Sequence, residues 1–134
     1  MEFRKICTDK DIMDFMKEFD FFHDSCIKEI HYISGCFVTN DRSMHPINSK
    51  RKLSIVFESQ QAKCKSIELL FDKIVELHLI PETEEYDCII RGVSFKRIND
   101  FFYWANWMDF SLDDLPIDLG TYIIAKSVSW RETL

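Results

Sequence analysis

The window from Lys65 to Ile80 constrains the fold of this chain more than any other stretch. It is the most apolar window in the sequence and contains no glycine, proline or asparagine. Apolar side chains occupy alternate positions on both sides of the pair Asp72-Lys73. A period of two is typical of a strand, and branched and aromatic side chains suit a pleated, half-buried surface. The window therefore predicts the centre of a sheet, as one bent strand or as two strands joined by a tight turn at Asp72-Lys73.

A helix is predicted near the N-terminus. Thr8 is followed three positions later by Asp11, the spacing of a capping box in which each side chain accepts a hydrogen bond from the other residue's N–H group. Four apolar residues then recur at helical spacing and share one face: Ile12, Phe15, Met16 and Phe19. The pattern predicts a helix from Asp9 to Phe19 that packs on a sheet.

Most of the remaining chain has strand composition. The turn signal Ser34-Gly35 predicts a hairpin between residues 21–33 and residues 36–39, before an exposed loop over residues 40–49. Further strands are predicted within residues 51–58, 86–98 and 121–130, with Gly92 as a candidate bulge. The aromatic residues within 98–110 fit either a strand or a helix, and a strand over 101–107 is favoured because consecutive bulky aromatics are poor helix formers.

One compact domain over residues 1–134 is predicted, because three glycines and three prolines leave no flexible linker. The expected fold class is α+β, with an N-terminal helix packed on a mainly antiparallel sheet of six to eight strands that could curl into a half-barrel.

Charge and cysteine usage bound the partners and the compartment. The net charge of −6 disfavours nucleic acid and anionic membranes. No apolar run approaches the roughly 20 residues of a membrane span. The five cysteines form no CxxC pair, which favours reduced, mostly buried thiols in a cytoplasmic protein. No cofactor is predicted.

Two acidic stretches, Pro81–Asp87 and Asp109–Asp118, are either ordinary solvated loops or a negative surface for a basic partner. The aromatic run over residues 101–107 is either core or a recognition surface, where tryptophan and tyrosine often dominate binding. The candidate partner-binding residues are Glu82, Glu84, Glu85, Asp87, Tyr103, Trp104, Trp107, Asp113 and Asp114.

An alternative polar site has the residue types of acid–base chemistry. His23 and Asp24 are an imidazole beside a carboxylate, but neighbours in a strand face opposite ways, so Asp24 is also a candidate turn cap. Glu76 and His78 share a strand face and could supply two metal ligands, although a site needs more. Arg131 completes this alternative site.

No catalytic residue and no metal site is predicted, because no motif of a nucleophile, a phosphate loop or a zinc site occurs. Cys26 lies near His23 in the sequence but is expected to be buried and inert.

The stretch Phe22-His23-Asp24-Ser25, the central strand, the tryptophan-rich strand and the closing Ser129-Trp130-Arg131 resemble small bacterial proteins of unknown function. Some of these are classed as immunity proteins of polymorphic toxin systems. The resemblance implies a cytoplasmic, β-rich protein that binds and neutralises a cognate toxin, often a nuclease, without catalysis of its own.

Three functions follow from these features. The first is a non-enzymatic protein-binding module of the immunity type. The second is a small enzyme or metal-dependent ligand-binding protein centred on His23, Asp24, Glu76 and His78. The third is a homodimeric structural domain that pairs through the aromatic strand.

Overall fold

An α-helix begins where the sequence predicts it. The computed structural model describes residues 2–115 and 120–133. Helix α1 spans Asp9–Glu18, and the Thr8 hydroxyl accepts a hydrogen bond from the Asp11 N–H at 3.1 Å. The Asp11 carboxylate accepts from the N–H groups of Cys7 and Thr8, which lowers the pKa of Asp11 below its usual range. The capping box of the sequence is therefore present.

An open, antiparallel sheet of seven strands confirms the α+β prediction. Its order is β2-β5-β6-β9-β8-β7, and β1 lies beside the far end of β9. Strands β3 and β4 form a separate ribbon on a segment whose residues 36–38 and 40–49 are all exposed. The strands are β1 Arg4–Ile6, β2 Ser25–Ile33, β3 Phe37–Val38, β4 Met44–His45, β5 Lys52–Ser59, β6 Ser66–His78, β7 Ser94–Ile98, β8 Phe101–Ala105 and β9 Tyr122–Glu132.

The central window forms one bent strand, β6, rather than two. It pairs with β5 on one side and with β9 on the other. A bulge between Ile74 and Glu76 shifts its register, and Lys73 just before it has a positive φ of 55°. The Ile74 N–H donates to the Arg51 carbonyl at 3.0 Å, which anchors the bend to the start of β5.

The inner face of the sheet curls around α1 and holds an aromatic core. Phe15 of α1 lies 5.8 Å from the Phe22 ring and 5.1 Å from the Trp130 ring. The start of β2 reaches the segment before β7 through a single bridge, in which the Ile90 N–H donates to the Ser25 carbonyl at 2.7 Å. The sheet is therefore strongly curved without closing into a barrel.

Strand β8 carries aromatic side chains on both faces. Trp104 belongs to the main core, 5.5 Å from the Phe57 ring. Tyr103 lies on the opposite face in a second cluster that residues 107–115 cover, 5.4 Å from the Phe110 ring. Because β8 pairs with both β7 and β9, it has no free edge, and strand pairing of two copies through the aromatic strand is not possible in this fold.

The predicted hairpin between residues 21–33 and 36–39 is wrong. Strand β2 pairs with β5, which places Ile27 and Ile30 against the main core. Strand β3 instead pairs with β4 inside the predicted loop. Burial against the apolar β5 outweighs the local turn signal, because a short ribbon of exposed residues has nothing to pack on.

The strand predicted over 86–98 is also too long, since β7 begins only at Ser94 and Gly92 lies outside any strand.

Replacing Thr8 with alanine should lower the free energy of unfolding by about 1 kcal/mol, because the Asp11 N–H loses its acceptor. Urea unfolding followed by circular dichroism measures this change. The variant Thr8→Ser is the matched control, since serine keeps the hydroxyl and should stay close to wild type. Equal destabilisation of both variants would contradict a role for the cap.

Candidate protein-binding surface

Strand register brings the two acidic loops to the same end of the sheet. His78 at the end of β6 is opposite Tyr122, which begins β9. Tyr122 is opposite Ala105 at the end of β8, and Ala105 is opposite Ser94, which begins β7. The connections 79–93 and 106–121 therefore leave the sheet side by side. We call residues 79–93 and 106–115 the acidic end.

Hydrogen bonds tie the two connections together. The Ile80 N–H donates to the Thr121 hydroxyl at 3.0 Å. The buried Ser94 hydroxyl donates to the Trp107 carbonyl at 2.8 Å and accepts from the Phe110 N–H at 2.9 Å. Gly92 lies under Met108, where an added Cβ would come within 2.7 Å of the Met108 Cγ. The acidic end is thus a single surface built from two parts of the chain.

The acidic end carries the net charge of the whole chain. Its seven carboxylates and one guanidinium give a formal charge of −6, which equals the charge of all 134 residues. Arg91 lies 3.3 Å from the Asp87 carboxylate and lowers its pKa below the usual range, with help from the Ile89 N–H. The seven acidic residues are Glu82, Glu84, Glu85, Asp87, Asp109, Asp113 and Asp114.

Large apolar side chains are exposed among these charges. Tyr86 is 67% exposed and Met108 is 63% exposed. Exposed aromatic and methionine side chains surrounded by charge are typical of recognition surfaces. Four further exposed apolar residues belong to the acidic end: Leu79, Ile80, Ile89 and Leu112.

The structure places most of the predicted partner-binding residues at or beside this surface. Tyr103 and Trp107 are half-buried in the second cluster, and the Asp114 carboxylate accepts from the Ser111 N–H at 2.9 Å. Trp104 is completely buried in the main core, so it cannot contact a partner. Residues 116–118 of the predicted acidic stretch lie outside the described residues. The exposed members are Glu82, Glu84, Glu85, Asp87 and Asp113.

Glu76 and His78 share a face, as predicted, and Tyr122 links them. The Tyr122 hydroxyl donates to the Glu76 carboxylate at 2.5 Å, and its ring lies 5.0 Å from the His78 ring in a stacked arrangement. The His78 Nδ1 is 2.9 Å from the Gly120 carbonyl oxygen. These contacts brace the base of the acidic end, since His78 is the last residue of β6.

The other members of the alternative polar site lie elsewhere. Arg131 is nine positions beyond Tyr122 along β9, roughly 30 Å away at the rise of a strand. His23 and Asp24 are exposed in the turn before β2, where the Asp24 N–H donates to the Ile90 carbonyl at 3.1 Å. The five predicted residues therefore do not form one pocket. Among residues 2–115 and 120–133, no group of three or more His, Cys, Asp or Glu side chains is placed to hold a metal ion.

Sequence reasoning missed a polar network on the outer face of the sheet. The Glu68 carboxylate accepts from the Ser54 hydroxyl at 2.5 Å and lies 2.7 Å from an Arg131 nitrogen. The Arg131 guanidinium also covers the Phe3 ring at 4.3 Å. The presence of Glu68 inside the most apolar window was a signal of this network in the sequence. Its partner Arg131 lies 63 residues further along the chain, so the pair could not be recognised. The Ser54 hydroxyl donates a hydrogen bond to a carboxylate that is also paired with Arg131, so the network links β5, β6 and β9.

The cysteines correct the expectation of mostly buried thiols. Only Cys64 is buried, Cys26 is half-buried, and the other three are exposed because they lie outside the core-facing strands. All five are free thiols. Burial, followed by the neighbouring Glu132 carboxylate, raises the pKa of Cys64 to about 11.

Comparison with known proteins gives no family for this chain, which matches no protein-family model, no curated protein and no solved structure. The resemblance to immunity proteins therefore remains a prediction. Within the described part of the chain, no helix has the length and apolar character needed to cross a membrane.

Cys64 should resist alkylation in the folded protein, because it is buried and the reactive species is the thiolate. Iodoacetamide at pH 8 should label Cys7, Cys36 and Cys88 first, as peptide mass mapping will show. In urea all five thiols should react. Labelling of native Cys64 as fast as Cys88 would contradict the described packing.

The raised pKa of Cys64 also makes the free energy of unfolding depend on pH. Below pH 9 the thiol is protonated in the folded and the unfolded chain, so its stabilising contribution is complete. As the pH rises from 9 towards 11 the thiol ionises in the unfolded chain first, so this contribution is lost.

Proposed function

We propose that this chain is a non-enzymatic protein-binding module whose acidic end binds a protein with a basic surface. The observation that carries the proposal is the concentration of the entire net charge at one end of the sheet, around the exposed Tyr86 and Met108. Charge complementarity of this kind speeds association and selects the partner. The apolar side chains between the charges supply surface from which water is excluded on binding.

A protein partner fits this surface better than a nucleic acid. Phosphate groups would be repelled by the exposed carboxylates of Glu82, Glu84 and Glu85. A basic protein would pair with the same carboxylates and cover Tyr86 with its own apolar groups. Tyrosine is among the residues that most often dominate protein–protein binding.

The separation of the candidate acid–base residues favours binding over catalysis. His23 and Asp24 lie in the turn before β2, Glu76 and His78 lie at the far end of β6, and Arg131 pairs with Glu68. A general base must lie within hydrogen-bond reach of its substrate and its partner group. The small-enzyme alternative would need these residues to converge.

The partner class to test first is a bacterial toxin, which the resemblance to immunity proteins suggests. A nuclease toxin needs a basic active site to bind phosphate, and an acidic surface can cover such a site. The test is growth rescue, in which the product of the neighbouring gene is expressed with and without this chain. Toxicity that this chain relieves supports the proposal, and toxicity that it does not relieve counts against the toxin as partner.

Reversing three exposed charges at the acidic end should slow association with the toxin that this chain neutralises. For E84K/E85K/D113K we expect an association rate at least about tenfold lower at low salt, because electrostatic steering is lost. Stopped-flow or surface binding at two salt concentrations measures it. The matched control E2K/E18K/D100K makes the same change in net charge at exposed positions outside the acidic end. Equal slowing in both triple variants would show a general charge effect and contradict this binding surface.

Replacing Tyr86 with alanine should act on dissociation instead. The side chain carries no charge, so the association rate should change little while the dissociation rate rises by about tenfold or more. Tyr86 is exposed, so the melting temperature should stay that of wild type. The control is Phe37→Ala, which removes an exposed aromatic ring from the β3–β4 ribbon. Unchanged dissociation for Tyr86→Ala would place the contact elsewhere.

A further inference from the structure

Strand β2 is an edge of the sheet with a free side. It pairs with β5 on one side, and on the other side a single bridge joins Ser25 to Ile90. From Cys26 to Ile33, that side has no strand partner among the residues that the structure describes. A free edge offers unpaired N–H and carbonyl groups to another strand.

A bulge gives this edge a palindromic pattern of faces. The register shifts between Ile27 and Glu29, which leaves Lys28 as the extra residue. Ile27 and Ile30 pack against the main core, and the other four residues of the segment Cys26–His31 face outwards. Read in either direction, the order is outer, inner, outer, outer, inner, outer. Strict alternation would put Lys28 and Glu29 on opposite faces, so the bulge creates the symmetry.

We propose that β2 pairs antiparallel with β2 of a second copy of this chain, about a two-fold axis between Lys28 and Glu29. Every residue then meets one on the same face of the joined sheet. Lys28 lies opposite Glu29 of the second copy, and Ile27 lies opposite Ile30 of the second copy. Cys26 lies opposite His31 of the second copy.

Charge and burial both favour this register. The two-fold axis makes two identical pairs of opposite charge from Lys28 and Glu29, both exposed in one copy alone. Ile27 and Ile30 are only partly buried at the rim of the core, and the pairing covers both in each copy. A lysine and a bulge commonly protect an edge from pairing. Here the lysine has an acidic partner in the second copy, and the bulge aligns the faces.

A charge swap tests the pairing. In E29K, Lys28 would lie opposite a lysine, so we expect the dimer dissociation constant from sedimentation equilibrium to rise about tenfold or more. The double variant K28E/E29K restores opposite charges and should dimerise close to wild type. The matched control E2K changes the net charge equally, away from β2, and should leave dimerisation unchanged. The Lys28 Nζ lies 3.9 Å from a carboxylate oxygen of Glu58 in the same copy, so replacing Lys28 also removes an ion pair within the chain. Melting temperatures are therefore recorded for every variant.

A disulfide tests the register directly and does not depend on the charge variants. The variant H31C would place a cysteine opposite Cys26 of the second copy, at a cross-strand separation of about 5 Å between Cβ atoms. Mild oxidation should give a covalent dimer whose linked peptides contain residues 26 and 31. The variant H31C/C26S should give none through this pair.

Two results would overturn the proposal. One is a wild-type chain that remains monomeric up to several hundred micromolar. The other is a dimer that E29K does not weaken and in which H31C forms no link to Cys26, since the contact then lies on another surface. Neither result bears on the acidic end, which is tested with a different partner and different residues.

Discussion

The long pairing of β6 with β9 is the constraint on which the rest of the structure depends. It runs from Ile67 opposite Glu132 to His78 opposite Tyr122, interrupted once by the bulge before Glu76. A slip of one residue would turn every side chain of a strand to the other face. The correct register places Leu69 and Trp130 inwards and joins Glu68 to Arg131 outside. The same register starts the acidic connections from one end of the sheet.

The aromatic core joins α1 to the inner face of the sheet. The rings of Phe15, Phe22, Phe57 and Trp104 contact one another in edge-on or tilted arrangements within the curled sheet. Such pairs stabilise a core beyond the area that they bury. Part of the outer face is covered by residues 107–115, which pack over Tyr103 and Tyr122. The segment that provides this cover also displays Met108 and Asp113 to solvent.

Local signals in the sequence predicted the helix, the central strand and the fold class. Thr8 and Asp11 act within a few residues of each other, and the alternation across Lys65–Ile80 needs no distant partner to be visible. Strand order could not be predicted, because the choice of β5 rather than β3 as the neighbour of β2 depends on burial far along the chain. Trp104 and Tyr103 differ in their surroundings for the same reason, since each face of β8 meets different distant elements.

The candidate surfaces meet at one point of the fold. Ile90 belongs to the acidic end and is hydrogen-bonded to Ser25 and Asp24 at the start of β2. Because Ile90 already occupies the free side of Ser25, the pairing proposed for β2 covers Cys26–His31 and ends beside the acidic end. A dimer would then present two acidic ends at a fixed spacing. Two linked sites bind a partner that carries two basic surfaces more tightly than either site alone, provided that the spacing matches. If β2 pairs as proposed and the spacing matches, self-association would therefore strengthen partner binding at the acidic end.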